Sequence, residues 1–381
     1  MCLLERILRL LVQHSDESAV LMTCLDWSAA FDRQDPTLAI KRFLELGVRP
    51  SLIPLLASYL TDRKMQVKFN GELSEFLALI GGGPQGTLLG QIEYLVQSND
   101  NANSVPPEDR FKYIDDLSIL QLVFLSGLLK QYNFQDHVAS DIAVEEKFIS
   151  PDNLETQEHL QKISDWTKDS KMKLNERKCN FILFSRSSDL FTTRLSINSV
   201  NLERLREVKI LGLYITESLS WTRNCREICK SAYSRLSLIT KLRYVGVKTE
   251  DLIDIYKIFI RSVTEYCSVV FHSSLTTEQS NKIERIQKTC LKVILGDMYI
   301  TYAAALEMCG LETLSKRREA RCLDFAKKCL ENPKTRRFFP LNTNFPACKV
   351  RDVEKFKVNF ARTSAYLKST IPYCQRLLNK H

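Results

Sequence analysis

The chain has 381 residues, 44% of them hydrophobic and 26% charged, a mix that excludes a largely disordered polypeptide. Its longest apolar runs, 52–60 and 120–129, fall short of the roughly 18 residues that a membrane-spanning helix needs. The formal charge of +9 is unevenly carried: 13 basic and 20 acidic residues up to position 150 give −7, whereas 41 and 25 thereafter give +16.

That split suggests carboxylates gathered for metal binding in the first part and phosphate contact in the second. In chain order, the opening MCLLERILRLLVQHSDES interrupts its apolar residues with Glu5, Arg6 and Arg9, which spoils a signal-peptide core and predicts an amphipathic helix. Residues 20–25 read as a strand ending at Asp26. Residues 38–46 read as a helix stopped by Gly47. Alternation over 65–70 predicts a strand before the turn at Asn70-Gly71. Residues 111–120 hold two apolar runs around an acidic pair, and 181–184 and 208–215 are further strands. This irregular interleaving predicts an α+β fold.

No proline lies between Pro151 and Pro333, and helical patterning dominates the later part of that interval. Residues 232–243 form a basic helix. Leu252, Ile255, Tyr256, Phe259, Val263, Tyr266 and Val270 recur at three- and four-residue steps, and Ile283, Ile286, Cys290, Leu291 and Ile294 line a second helix with Gly296 as its stop. The expected domains are 1–216, a helical basic 217–332, and a basic tail 333–381 that is only partly ordered. The twelve cysteines contain no CxxC pair, so the reading is reduced, mostly buried thiols in an intracellular protein, with nucleus or cytoplasm undecided.

Three features carry chemistry through their order. LDWSAAFD (25–32) closes a strand with an aspartate and then presents Phe31. GGGPQGTLLG (81–90) places Pro84, Gln85 and Gly86 before a helix. FKYIDDLSIL (111–120) is a hairpin with two carboxylates at its tip. Neighbouring aspartates repel unless a cation neutralises them, and oxygen-only ligands suit Mg²⁺. Two such ions about 3.5–4 Å apart would clamp the attacking and leaving oxygens of a phosphoryl displacement, which is the logic of a nucleic-acid polymerase.

The three boxes resemble, in order, the LDxSKAFD, GxPQGSxLGP and [YF]xDD motifs of the reverse transcriptases of non-LTR (LINE-type) retrotransposons. WTKDSKMKLNERKCNFILFSR (166–186) and REVKILGLYIT (206–216) are similar to that family's downstream segments, and the resemblance runs to about residue 330. It implies a reverse-transcriptase palm, a ferredoxin-like sheet with helices, in 1–216, followed by a thumb-like helical domain. It implies RNA-directed DNA polymerase activity with two Mg²⁺ ions, Mn²⁺ being a possible substitute, on an RNA template, a DNA primer and dNTPs. By resemblance, Asp26, Asp115 and Asp116 would ligate metal, and Lys178 would protonate the departing pyrophosphate. Phe31 would stack on the incoming sugar and exclude a 2′-hydroxyl. Gln85 would touch the nucleotide, with Pro84 and Gly86 shaping its loop. Tyr113 would lie beside the primer end, and Leu211 and Gly212 would form the primer-grip turn. Trp166 and Trp221 are expected in the core.

Three departures stand beside the resemblance. Only 25 residues precede Asp26 where the family has a fingers subdomain, so a 5′-truncated element is expected, with independent activity in doubt. Gln91 and Glu93 replace Pro and apolar residues, and 120–155 is irregular in spacing. The alternative reading is a nucleic-acid-binding remnant without chemistry. An RNA-dependent RNA polymerase fits less well, because its hairpin reads GDD rather than YIDD.

Overall fold

The computed structural model describes residues 1–14, 18–124, 147–149, 155–186, 191–342 and 355–381. Most of the irregular 120–155 stretch, and Cys348, lie outside them. The chain divides into two compact units, 15–206 and a second made of 1–14 together with 207–381. This differs from the expected boundaries at 216 and 332. The reason is packing: the segment after residue 206 and the first helix both bury their apolar faces in the second unit.

The unit of 15–206 is built on a five-stranded sheet. Its strands are β1 (Ser18–Leu25), β2 (Arg110–Tyr113), β3 (Asp116–Phe124), β4 (Asn180–Ser185) and β5 (Glu203–Arg204), in the order β5-β4-β1-β3-β2. Strand β1 is antiparallel to both neighbours, and β5 runs parallel to β4. A strand paired on both edges can bury both faces, which is why β1 is apolar along most of its length and buried everywhere except at Cys24. Helices α2 (Pro36–Glu45), α3 (Ile53–Leu60) and α4 (Leu88–Gln97) connect β1 to β2, and α5 (Glu155–Ser170) lies between β3 and β4. Leu160 and Ile163 of α5 join Leu21, Ile119 and Phe181 in one core. Helix α2 starts at Asp35, which accepts from the Leu38 N–H, with Pro36 in the first turn.

Between α3 and α4 the expected strand over 65–70 is split into two short ladders. Lys64–Met65 pairs with Leu77–Ala78, and Lys68–Phe69 pairs with Glu72–Leu73 around Asn70 (φ +50°) and Gly71 (φ +90°). Those positive φ values are what an Asn-Gly hairpin turn requires.

In the other unit, β6 (Glu207–Ile210) and β7 (Leu213–Thr216) form a hairpin where one strand over 208–215 was expected. Helices α6 (Thr222–Tyr244), α7 (Thr249–Ile255) and α8 (Thr277–Leu295) follow. The helix through 252–270 is not continuous: it widens over Tyr256–Arg261 and breaks at Cys267, which is left-handed (φ +50°). Helix α8 opens with a capping box between Thr276 and Gln279 and ends at Gly296 (φ +56°), as its sequence predicts. Ile239, Tyr256, Phe271, Ile283 and Leu291 are among the core residues of this unit. Trp221 is buried in the same core, and Trp166 packs on that of the first unit, as expected.

Within the expected tail, the described residues 333–342 and 355–381 include a helix that packs on the one preceding Pro333. Helices α9 (Leu314–Glu331) and α10 (Thr370–Lys380) bury Cys322, Ala326, Ile371 and Cys374 against one another. Helix α1 (Cys2–Gln13) belongs here too: Glu5 is held by Arg9 at 2.8 Å and accepts the Tyr366 hydroxyl at 3.0 Å. The described cysteines are free thiols.

Candidate active site

Strand β1 delivers Asp26 to the end of the sheet. Its last ladder pair, Leu25 with Leu117, puts Asp26 one step on, beside Asp116 at the start of β3. The Asp26 carbonyl accepts the Asn175 N–H at 2.9 Å, and its own N–H points at the Cys179 sulfur at 3.4 Å. Burial pushes that thiol up to about 11, so Cys179 is a neutral, packed group.

The other carboxylates sit on the β2–β3 hairpin, where Tyr113 pairs with Asp116 across a turn of Ile114 and Asp115. Ile114 is left-handed (φ +55°) and packs against the core. A β-branched residue there is strained, and such strain persists only where surrounding packing holds it. Desolvation raises the Asp116 carboxyl above its ordinary value, and the charges of Asp115 and Asp26 raise it further. Three carboxylates thus oppose one another at one end of the sheet, and a bound cation would relieve that repulsion. They are not drawn to one point: no set of three His, Cys, Asp or Glu side chains in metal-binding range occurs among the described residues. The carboxylates fit divalent-ion binding by charge and donor type, with closure of the ligand set left to the ion and its substrate.

Lys178 approaches this group, its Nζ 3.8 Å from Asp26 Oδ2. Both side chains are solvent-accessible, so the pair contributes little stability and leaves the ammonium free to move.

Beside the carboxylates, the turn after β1 meets the glycine loop. The Gly83 N–H donates to the Phe31 carbonyl at 2.8 Å, and the Gln85 amide donates to Asp32 Oδ1 at 2.9 Å. Pro84 is half-buried and Gly86 exposed at φ +78°, so the loop turns outward at Gln85. Phe31 is half-buried, its ring 5.0 Å from that of Tyr94. The motifs alone do not single out Tyr94 or Asp32. Tyr94 is buried beneath this region, and desolvation with the nearby Asp115 and Asp116 charges keeps its phenol protonated. Its signal in sequence was only an aromatic eight residues beyond Gly86, about two helical turns along. Tyr113 is exposed beside the hairpin turn.

Leu211 and Gly212 lie in the other unit and form the turn between β6 and β7, with φ of +45° and +83°. The Tyr266 hydroxyl donates to the Leu211 carbonyl at 2.9 Å. Lys209 and Arg223 both lie over the Tyr214 ring, at 5.5 and 5.0 Å, giving this hairpin a cationic, aromatic face.

Among curated proteins, the RNA-directed DNA polymerase from mobile element jockey of Drosophila funebris is 26% identical over 306 residues, covering 77% of this chain and 30% of that protein. The Drosophila melanogaster counterpart is 24% identical over 281 residues, covering 71% and 28%. The chain is similar in sequence to RNA-directed DNA polymerases of a non-LTR mobile element. It spans less than a third of the length of these relatives. No family profile matches it. A solved telomerase from Candida tropicalis, in complex with a fragment of telomeric RNA, aligns at 13% identity and a TM-score of 0.39 over 84% of this chain and 44% of its own, a likeness too distant to carry an argument.

Proposed function

We propose that the 15–206 unit is the polymerase centre of a non-LTR reverse transcriptase, extending a DNA primer on an RNA template. The observation that carries this reading is the gathering of Asp26, Asp115 and Asp116 at one end of the sheet, with their charges raising the Asp116 carboxyl. The order β4-β1-β3-β2, joined as strand, helices, strand, strand, helix, strand, is that of a ferredoxin-like palm and supports it.

Asp26, Asp115 and Asp116 would hold two divalent ions, Mg²⁺ or in its place Mn²⁺, which when bound activate the primer 3′-oxygen and neutralise charge on the leaving pyrophosphate. Phe31, its ring 5.0 Å from that of Tyr94, would stack on the incoming sugar and exclude a 2′-hydroxyl. Gln85, in a loop anchored at the Phe31 carbonyl, reaches the nucleotide from the other side. Lys178 stands close enough to the carboxylates to move a proton to the departing pyrophosphate. Tyr113 faces the primer end, and the Leu211-Gly212 turn supports the primer strand.

The test is extension of oligo(dT) on poly(rA) with Mg²⁺ and dTTP, set against an Asp115→Ala, Asp116→Ala control. Extension by the parent alone supports the polymerase. Duplex binding without extension would leave a nucleic-acid binder.

A further inference from the structure

The second unit has an open groove beside the Leu211-Gly212 turn. It lies between the β6–β7 hairpin, α6 and the segment 262–266, and holds about 470 Å³. That falls within the roughly 300–1,000 Å³ of pockets that take a small organic ligand. Three departures from regular backbone lie close to it: the left-handed pair Leu211 and Gly212, the widened turn over Tyr256–Arg261, and the left-handed Cys267. Such irregularities cost free energy, and they concentrate where a chain clamps a ligand.

Two cations line the groove without a carboxylate to neutralise them. Lys209 lies over the Tyr214 ring at 5.5 Å. Arg235 lies over the Phe259 ring at 4.8 Å and donates to the Phe259 carbonyl at 2.6 Å. Rings and a carbonyl hold both, and neither is ion-paired among the described residues. The carboxylate of the lining, Glu227, is engaged by Arg223 at 2.9 Å. Two positive charges are therefore oriented but not compensated, which suits an anionic ligand.

The groove also has an aromatic platform and a spare donor. Tyr266 is 54% exposed, and its hydroxyl is tied to the Leu211 carbonyl. Gly212 lets the ring come close, since a Cβ there would lie 3.0 Å from Tyr266 Cε1. A ring fixed at its polar end and half open to solvent can stack a flat ligand. Asn224, at 2% exposed, is the most buried polar side chain of the lining. Its Oδ1 accepts the Tyr214 N–H at 3.4 Å, which orients the amide and leaves Nδ2 without a partner among the described residues. A buried donor without an acceptor is costly, and a ligand carbonyl would satisfy it.

We propose that this groove holds one unpaired nucleotide of a single-stranded nucleic acid, its base stacked on Tyr266 and offering a carbonyl to Asn224, its flanking phosphates met by Lys209 and Arg235. A duplex does not fit, because its bases are enclosed by their partners and neighbours and leave the stack only at a cost. The donor also selects among bases: uracil, thymine, cytosine and guanine carry a carbonyl, and adenine does not. The site is separate from the carboxylate chemistry and is tested by binding alone.

The full chain is titrated by fluorescence anisotropy with labelled oligo(rU), oligo(dT), oligo(rA) and an abasic strand of the same length. Oligo(rU) or oligo(dT) should bind about tenfold tighter than the abasic strand and tighter than oligo(rA), and the better of the two identifies the sugar. Tyr266→Leu should remove that advantage, and Tyr266→Phe, which keeps the ring, should retain it. Asn224→Leu should erase the preference over oligo(rA). Lys209→Gln with Arg235→Gln should lower the slope of log affinity against log salt by about 1.4, at roughly 0.7 per phosphate contact. Equal affinity of the parent for oligo(rU), oligo(dT) and the abasic strand overturns the proposal, as does an unchanged advantage in Tyr266→Leu. Displacement of the strand by UMP at equal concentration would assign the groove to free nucleotides and also overturn it. Cross-linking of the parent to 4-thiouridine-bearing oligo(rU) needs no variant: adducts within 209–214 or 262–266 support the site, and adducts confined to 15–206 overturn it. Those adducts in a chain that extends no primer would sink the polymerase reading and leave the groove standing.

Discussion

Two hairpins in this chain place a bulky apolar residue in a conformation suited to glycine, and they hold it there by different means. At the β2–β3 tip, Ile114 is clamped by the core, and the turn presents Asp115 and Asp116. At the β6–β7 tip, Leu211 is 43% exposed and its carbonyl is fixed by the Tyr266 hydroxyl. A left-handed residue costs about 1–2 kcal/mol in either place. In the first the side chain repays that cost by burial; in the second the backbone does so through a hydrogen bond. The same backbone irregularity is thus rigid in one hairpin and adjustable in the other.

The largest effect should come from the carboxylate tip. Asp116→Asn is expected to lower primer extension on the order of a thousandfold. Melting without metal should move the opposite way. The Asp116 carboxyl is raised in the folded state, so its ionised form opposes folding at neutral pH and its neutral form does not. Asp116→Asn should therefore melt higher than the parent at pH 7, with the gap closing toward pH 4. Mg²⁺ should raise the parent's melting temperature and leave an Asp115→Asn, Asp116→Asn variant unmoved. A parent indifferent to Mg²⁺ would break the assignment of this tip to metal binding.

Next comes the other turn. Gly212→Ala puts a methyl at φ +83° and 3.0 Å from Tyr266 Cε1, and should cost about 2 kcal/mol in urea unfolding. Leu211→Asn should gain about 1 kcal/mol, because asparagine tolerates the left-handed region and little burial is lost. Ile114→Asn should lose about 1–2 kcal/mol despite easing the same strain, since its packing goes with it. If the two asparagine variants shifted stability in the same direction, the distinction between the hairpins would fail. Tyr266→Phe is the smallest change, about 0.5–1 kcal/mol, and should loosen exchange at Leu213 without affecting the carboxylate hairpin.

Much of this was legible. Strand β1 ending at Asp26, the acidic hairpin, the Asn70-Gly71 turn and the stop at Gly296 each rest on local patterns that tertiary contacts do not override. What stayed hidden depends on partners distant in sequence. The apolar run 208–215 reads as one strand by pattern, and only the resemblance marks a turn at Leu211 and Gly212. The run 252–270 keeps its periodicity straight through the break at Cys267. Glu93 and Gln34 look like surface residues but are buried without a hydrogen-bond partner among the described residues, which has no sequence signature. Tyr94 gains its place beneath Phe31 only once α4 packs under the turn after β1.

The hydrogen bond from Tyr366 to Glu5 spans 361 residues of chain, and it bears on synthesis. Helix α1 leaves the ribosome long before residue 366, with Leu3, Ile7, Leu10 and Leu11, which are buried in the fold, not yet covered. At about 5–20 residues per second, roughly twenty seconds to a minute pass before Tyr366 is made. During that interval the sheet-bearing unit can fold to completion while α1 offers an apolar stripe with nothing yet to cover it. During that interval α1 would be a target for holdase chaperones, and the emergence of the segment carrying Tyr366 would release them.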